Sequence, residues 1–179
     1  MLNTKNTILV IIDVQGKLAN LMCAKQELFE NLQKTIKGIQ VLNIPILWLE
    51  QYPKGMGPTI PEITELLTDI EPLPKIEFSA CKNKRFDKAL KDAGRKQVLL
   101  VGIEAHICVY QTALDLIDSG YEVHVLIDCV SSRTQENKDL ALRKMRDCGV
   151  KQTSTEMALF ELLKVAGTDQ FKEIQKIIK

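Results

Sequence analysis

The sequence is poor in the residues that mark metal-binding, disulfide-rich and membrane proteins. It contains two histidines, and its five cysteines are an odd number with no Cys-x-x-C pair, so neither a disulfide framework nor a structural zinc site is expected. No apolar run reaches the roughly 18 residues that a membrane span requires. The N-terminal residues show no small-residue cleavage site of a secretory signal. We therefore predict a soluble, cytoplasmic protein with no membrane partner.

The charge is nearly balanced, with 24 basic and 23 acidic residues and a formal net charge of +1. Such a chain lacks the basic field that gathers nucleic acid, so no nucleic-acid partner is expected. Its 179 residues, 45% of them hydrophobic, suffice for one sizeable core and are few for two. The expectation is a single domain over residues 1–179.

What the chain has instead is an alternation of apolar runs and amphipathic stretches. Strands are predicted at residues 7–13, 46–50, 97–102, 121–128 and 150–153, with a brief extended piece at 73–78. Helices are predicted at 28–42, 62–67 and 86–93, from Cys108 to Gly120, from a capping box at Ser132 to Gln135 up to about Gly149, and at the C-terminus. The alternation predicts a three-layer α/β/α Rossmann-like domain with a six-stranded parallel sheet of order 3-2-1-4-5-6.

This strand order makes the first and fourth strands neighbours, and ligands bind beyond the carboxyl ends of such strands. Asp13 ends the first strand and Cys108 follows the fourth, so a carboxylate and a thiol should meet there. A thiol at a helix N-terminus experiences the positive end of the helix dipole, and we expect the Cys108 pKa to fall. A lysine nearby would lower it further, and Asp13 could carry the proton to a leaving group.

Other interpretations of these residues are also open. Asp13 could cap the turn after its strand, and Cys108 could be a structural, buried thiol. No G-x-G-x-x-G loop follows the first strand and no G-x-S-x-G elbow is present, which disfavours a nucleotide-binding enzyme and a serine hydrolase.

Three motifs carry a family resemblance. "IIDVQ" with Asp13, "PKIEFSAC" with Lys75 and "GIEAHICV" with Cys108 resemble the isochorismatase-like cysteine hydrolase superfamily. "LEQYPKGMGPT", "TALDLIDSGYEVHVLIDCVSSR" and "QFKEIQKIIK" are similar to the isochorismatase domain-containing proteins of that superfamily. The resemblance runs from about Asn6 to the C-terminus. If the motif register were misread, Lys82 or Lys84 would take the place of Lys75, which would then be a solvated loop lysine.

The resemblance implies a catalytic triad in which Asp13 is the general base, Cys108 the nucleophile and Lys75 the cation that supports the thiolate. It also implies a non-proline cis peptide between Ile103 and Glu104. The backbone N–H groups of Glu104 and Cys108 would then form an oxyanion hole. Members of the family form dimers to octamers, so a homo-oligomer is expected.

The resemblance also bears on the substrate. Nicotinamidases of the superfamily bind a metal through an aspartate and two histidines before the catalytic lysine, whereas residues 50–74 contain no histidine here. We therefore expect no metal and no cofactor. True isochorismatases generally lack the cysteine nucleophile, so Cys108 indicates hydrolysis of a C–N bond in an amide, ureide or similar small molecule.

The predicted pocket combines apolar and amide side chains, which suits a small polar substrate. Its expected lining residues are Gln15, Gln51, Tyr52, Phe78, His106 and Ile107. His106 is equally compatible with a polar position at a helix entrance, and Arg133 is better explained as a surface residue than as an anion ligand. The alternative function is a catalytically silent or redox-sensing protein that acts through protein association, with Cys81 as a partner thiol for Cys108.

Overall fold

A computed structural model covers residues 1–179 and contains one six-stranded parallel sheet. In chain order the strands are β1 (Thr7–Ile12), β2 (Ile46–Gln51), β3 (Leu73–Lys75), β4 (Gln97–Ile103), β5 (Glu122–Ser131) and β6 (Lys151–Thr153). They lie in the order β3-β2-β1-β4-β5-β6 and every pair is parallel. The predicted three-layer fold and strand order are confirmed.

Nine α-helices connect or follow the strands. They are α1 (Gly16–Ala19), α2 (Lys25–Val41), α3 (Pro53–Met56), α4 (Pro61–Thr64), α5 (Lys84–Asp92), α6 (Tyr110–Asp118), α7 (Gln135–Asp147), α8 (Thr155–Leu163) and α9 (Asp169–Ile178). A 3-10 turn covers Ala80–Lys82, and a π-helical turn covers Ala105–Val109 directly before α6. None of the helices combines the length and apolar character needed to cross a membrane.

The start of α7 differs from the sequence expectation. The N-cap is Thr134, whose hydroxyl accepts a hydrogen bond from the backbone N–H of Asn137. The predicted capping box at Ser132 to Gln135 is therefore wrong. The reason is that β5 continues to Ser131, three residues beyond its predicted end.

The central strand β1 is buried on both faces and supplies both hydrophobic cores. Leu9 and Ile11 face a cluster formed with α2, α8 and α9. Ile8, Val10 and Ile12 face a second cluster formed with α5, α6 and α7. A strand covered in this way needs apolar side chains at every position, which explains why "TILVII" shows no alternation.

The carboxyl ends of four strands meet at one edge of the sheet. Ile12 is paired with Gly102 across β1 and β4, and Gln51 is paired with Lys75 across β2 and β3. Gly102 has a φ of +118°, and a Cβ atom on it would lie 2.0 Å from the carbonyl oxygen of Ile12. Only glycine allows β1 and β4 to approach this closely. Asp13 directly follows Ile12 after β1, and Ile103, the neighbour of Glu104, directly follows Gly102 on β4.

Candidate active site

Asp13 follows β1 directly and turns its carboxyl group into the protein. Its φ of 52° lies in the left-handed region, which is uncommon for a residue other than glycine. The residue is 2% exposed. Its Oδ1 atom is buried and has no hydrogen-bond partner within the protein. A buried carboxylate oxygen without a partner is costly, and it is therefore a candidate for contact with a ligand.

Lys75, at the end of β3, holds the other carboxylate oxygen. Its Nζ lies 2.6 Å from Oδ2 of Asp13 and 2.5 Å from Oε1 of Gln51. The ammonium group also donates to the backbone carbonyls of Glu77 and Phe78, at 3.1 and 3.4 Å. These acceptors use all the donors of an ammonium group and hold it in place.

Lys75, and not Lys82, is thus the lysine beside Asp13. Lys82 is exposed and pairs with Asp115 at 3.2 Å on the protein surface. This pair lies close to a second link in the same region, in which Ser79 donates a hydrogen bond of 2.6 Å to Asp115. The segment after Lys75 is therefore fastened to α6, the helix that follows Cys108.

Cys108 lies within the π-helical turn and is 7% exposed. Burial, and secondly the negative charge of Asp13, raise the pKa of its thiol to about 12, against the smaller, opposing effect of Lys75. The expectation that the helix N-terminus lowers this pKa is wrong, because desolvation of the thiolate and the adjacent carboxylate outweigh it. The resting group at neutral pH is a thiol.

The pKa of Asp13 is also raised, and burial is the largest cause. Lys75 opposes this shift, while the carboxylate of Glu50 adds to it. Glu50 was not singled out in the sequence. Its Oε1 accepts hydrogen bonds from the backbone N–H and the hydroxyl of Thr59, at 2.7 and 2.9 Å. The sequence signal that could have identified Glu50 was its position near the end of β2, two residues before the loop that follows this strand. An Asp13 carboxylate held in this way is more basic than an exposed one, which suits proton transfer.

A cavity of about 100 Å³ lies against these groups. Its lining residues are Asp13, Leu18, Gln51, Met56, Phe78, Ile103, Glu104, Ile107 and Cys108. Gln51, Phe78, Glu104 and Ile107 were predicted to lie here. Leu18 and Met56 were missed because they belong to α1 and α3, helices of four residues that are too short to show a periodic pattern.

Gln15 does not line the cavity. It is completely buried, and its Nε2 donates to the backbone carbonyls of Gln51 and Gly57 at 3.1 and 2.7 Å. Its Oε1 accepts from the backbone N–H of Gln51 at 2.6 Å. Gln15 therefore fastens the end of β2 and the loop after it, and it positions Gln51 against Lys75.

Tyr52 and His106 also lie outside the cavity lining. Tyr52 is 55% exposed and borders a separate groove of about 360 Å³ together with Ile76. The Nδ1 atom of His106 lies 2.9 Å from the hydroxyl oxygen of Ser132. His106 thus has a polar partner at the start of the helix, one of the two roles that the sequence allowed.

Glu104 contributes to the site through both backbone and side chain. The peptide bond between Ile103 and Glu104 is cis, and the backbone N–H of Glu104 donates to no acceptor within the protein. The carboxylate, 4% exposed, accepts hydrogen bonds from Nε of Arg133 at 3.0 and 3.3 Å. The Glu104 side chain is therefore already paired, whereas its N–H is open.

No group of three or more His, Cys, Asp or Glu side chains is arranged to hold a metal ion. All five cysteines are free thiols. The site accordingly consists of a buried thiol, a carboxylate with one open oxygen, a fixed ammonium group and an open backbone N–H around a small cavity. This combination of a nucleophile, a proton acceptor and a hydrogen-bond donor is that of acyl-transfer chemistry.

Comparison with known proteins identifies the family of the chain. A family model described as the Isochorismatase domain matches residues 7–157. Isochorismatase domain-containing protein 2 of Danio rerio is 38% identical over 178 residues, covering 99% of this chain and 89% of that protein. A MAR1 ribonuclease from Caenorhabditis elegans superimposes with a TM-score of 0.92 at 36% identity, covering 99% of this chain and 91% of the other.

A more distant structure shows the same fold. The YcaC gene product of Escherichia coli, described as an octameric hydrolase of unknown specificity, has a TM-score of 0.93 and 22% identity, covering 99% of this chain and 88% of its own. The fold and site define the class as an isochorismatase-like α/β hydrolase. The chain belongs to the isochorismatase family, and this membership supports a hydrolase function.

Proposed function

We propose that the protein is a metal-independent cysteine hydrolase that cleaves a C–N bond in a small amide or ureide. The catalytic residues are Asp13, Lys75 and Cys108, and no cofactor takes part. The observation that carries the proposal is the open Oδ1 atom of Asp13, buried beside the thiol while Oδ2 is held by Lys75. A carboxylate fixed on one side and open on the other is arranged to accept one proton at a defined place.

Acylation begins with the neutral thiol, because the pKa of Cys108 is about 12. As Sγ forms a bond to the carbonyl carbon, its proton passes to Asp13. The negative charge that develops on the carbonyl oxygen is stabilised by the backbone N–H groups of Glu104 and Cys108. The tetrahedral intermediate then breaks its C–N bond, and the departing nitrogen takes the proton from Asp13. The product of this half-reaction is a thioester on Cys108 and a free amine or ammonia.

Deacylation uses the same carboxylate. Asp13 accepts a proton from a water molecule as its oxygen attacks the thioester carbon. The second tetrahedral intermediate breaks its C–S bond, and the proton returns from Asp13 to Sγ. The balance is one amide and one water consumed, with one carboxylic acid and one amine released. Lys75 keeps its proton throughout, and its positive charge lowers the free-energy cost of keeping the Asp13 carboxylate ionised in a buried position.

The redox-sensing alternative has less support. A sensor needs an accessible thiolate, whereas burial raises the pKa of both Cys108 and Cys81 to about 12. The Cys81 thiol lies 3.9 Å from the backbone carbonyl of Thr112. The charged groups that act on it include Asp115 and Lys82, neither of which lines the Cys108 cavity. The two thiols therefore have different surroundings.

The test is a panel of small primary amides and ureides, followed by amine release and by the intact mass of protein quenched during turnover. We expect turnover that EDTA does not reduce, and a mass increase equal to the acyl group. Cys108→Ala should lose both signals, whereas Cys148→Ala, which changes an exposed cysteine, should keep them. Turnover that survives in Cys108→Ala would exclude the mechanism. Folded protein that gives neither amine nor adduct with any member would instead support the catalytically silent alternative.

The proposal extends to assembly and location. Tyr52, Ile76 and Phe78 are exposed apolar side chains, with exposed fractions of 55%, 74% and 56%, and we propose a homo-oligomer that covers part of this apolar surface. Five free thiols suit a reducing compartment, which supports a cytoplasmic location. We further propose that the binding partner is a small-molecule substrate. Residues 1–179 would act as one domain. Light scattering coupled to size-exclusion chromatography measures the assembly directly.

A further inference from the structure

We infer that the site selects a short, unsubstituted aliphatic amide, with an acyl group of two or three carbons. This inference rests on the proposed cysteine hydrolase function and narrows its substrate class. It separates aliphatic amides from ureides and from aromatic amides, which the proposed function alone leaves equivalent. Three features of the cavity support it: its volume, the character of its walls and the number of polar groups left open inside it.

The volume limits the size of the acyl group. The cavity measures about 100 Å³, whereas an apolar protein cavity of about 150 Å³ accommodates benzene, with its six carbons. In proportion, this cavity accommodates about four non-hydrogen atoms. The acyl groups of acetamide and propionamide, counted with the carbonyl oxygen, have three and four such atoms, so both fit. An aromatic ring does not fit without movement of the walls.

The walls are apolar wherever they do not take part in the chemistry. The lining includes five apolar side chains, which are Leu18, Met56, Phe78, Ile103 and Ile107. Gln51 lines the cavity too, but its Oε1 accepts from Lys75 and its Nε2 donates to the backbone carbonyl of Ile76 at 2.8 Å. The Glu104 carboxylate is bound to Arg133. The side chains of Gln51 and Glu104 are therefore already bonded to other protein groups and are not free to bind a polar substituent of the substrate.

The polar groups that remain open correspond to one amide. They are the Oδ1 atom of Asp13 and the backbone N–H of Glu104, and the third polar group of the lining that an amide can use is the free thiol of Cys108. One amide uses all three, since its carbonyl carbon meets the thiol, its oxygen the N–H and its nitrogen the carboxyl group. A hydroxyl or a second nitrogen on the acyl group would enter an apolar region without a partner, which makes its binding unfavourable.

Met56 is the lining residue that we choose to test whether the size of the cavity selects the acyl chain. It lines the cavity from α3 and belongs to neither hydrophobic core. Shortening this side chain should enlarge the cavity while the cores stay intact. Met157 provides a matched control, because it is 63% exposed and lies on α8.

The first experiment compares propionamide with glycolamide, in which a hydroxyl replaces the terminal methyl group, and with hexanamide and benzamide. We expect kcat/KM for propionamide to exceed that for glycolamide by about tenfold to a hundredfold, and turnover of hexanamide and benzamide to be lower still. Equal rates for propionamide and glycolamide, or faster hydrolysis of benzamide, would overturn the size and polarity inference while leaving the cysteine hydrolase intact. Hydrolysis of a ureide such as N-methylurea with no hydrolysis of any amide would likewise overturn the inference alone. Absence of hydrolysis of every amide and of the ureide, with an unmodified Cys108, would instead refute the function on which the inference rests.

The second experiment uses the cavity variant. Met56→Ala should raise the ratio of kcat/KM for hexanamide to that for propionamide by about tenfold, and Met157→Ala should leave this ratio unchanged. A ratio in Met56→Ala equal to that of the native protein would show that the cavity does not select the acyl chain. Thermal unfolding of both variants checks that they are folded.

Discussion

Nζ of Lys75 lies 2.6 Å from Oδ2 of Asp13, across 62 positions of sequence, and both side chains are buried. The pair is formed because β1 and β3 lie on either side of β2 in a parallel sheet, with their carboxyl ends at one edge. Such a pair stabilises the fold only while both partners are present, since a single buried charge without its partner is costly. The same pair places two opposite charges beside the thiol of Cys108.

The first prediction is that substitutions of Asp13 and Lys75 change the reactivity of Cys108 in opposite directions. Asp13 raises the pKa of the thiol and Lys75 lowers it, so Asp13→Asn should lower that pKa and Lys75→Gln should raise it. One pKa unit corresponds to about tenfold more or less thiolate at pH 8. Alkylation by iodoacetamide, measured from pH 7 to pH 10.5 by peptide mass spectrometry at Cys108, should be faster in Asp13→Asn and slower in Lys75→Gln.

Circular dichroism serves as the control for this comparison, because each variant breaks a buried ion pair. Faster alkylation in both variants would indicate that Cys108 is exposed by local unfolding and that charge is not the cause. Slower alkylation in Asp13→Asn alone would contradict the sign of the interaction. The native protein should react slowly at pH 7, because its thiol is almost fully protonated.

Much of this arrangement could be predicted from the sequence. The continuous apolar run before Asp13 and the one before Gly102 identified two buried parallel strands, and alternation of strands with helices led to the sheet order. The proximity of Asp13 and Cys108 followed from that order. Lys75 followed only from the family resemblance, since a three-residue strand such as β3 has too little pattern to be located by periodicity.

Other parts of the site depend on packing that no local pattern expresses. The expected fall in the Cys108 pKa rested on the helix terminus and a nearby lysine, whereas the depth of burial is known only once α6 and the sheet are in place. Gln15, two residues after Asp13 in the sequence, was expected to line the substrate pocket. In the structure it turns toward the backbone of Gln51 and Gly57 instead. Proximity in sequence indicated the region, and the direction of each side chain came from the tertiary structure.

A structural role for Gln15 is the second prediction. Gln15→Leu removes three hydrogen bonds to backbone groups, two of them buried and one partly buried, and it should lower the free energy of unfolding by about 3 kcal/mol. Urea denaturation without any ligand measures this. Gln152→Ala is the control, since this exposed side chain makes one hydrogen bond to the carbonyl of Leu142 and should cost less than about 1 kcal/mol. If Gln15→Leu were as stable as the native protein, the structural role would be refuted, and the expected role of Gln15 as a substrate contact would be favoured again.

Gly102 is the subject of the third prediction. In Gly102→Ala the new Cβ would meet the carbonyl oxygen of Ile12 at a φ of +118°, so the free energy of unfolding should fall by about 3 kcal/mol or more. Gly120→Ala is the matched control, because its φ of +78° is also positive while its surroundings are open, and it should cost about 1 kcal/mol. Equal losses in the two variants would show that backbone conformation alone matters at Gly102. A larger loss in Gly102→Ala identifies the close approach of β1 and β4 as the cause.

The last prediction concerns stability in alkaline solution. Burial raises the pKa of Cys81, Cys108 and Cys129 from the ordinary thiol value of 9.0 to about 12. Below pH 9 both the folded and the unfolded chain keep these protons, so stability is unaffected. Between pH 9 and pH 12 the unfolded chain loses them while the folded protein keeps them, and each thiol then lowers the free energy of unfolding by about 1.4 kcal/mol per pH unit.

Urea denaturation at pH 8, 9.5 and 10.5 measures this slope, and Cys108→Ala isolates the contribution of the candidate nucleophile. Other groups titrate in the same range, but they are common to both proteins, so the difference between the two slopes belongs to Cys108. The variant should lose stability less steeply above pH 9, by about 1.4 kcal/mol per pH unit. Identical slopes would mean that Cys108 ionises as readily in the folded protein as in the unfolded chain. The thiol would then have its ordinary pKa in the folded protein, which would contradict the effect of burial on Cys108.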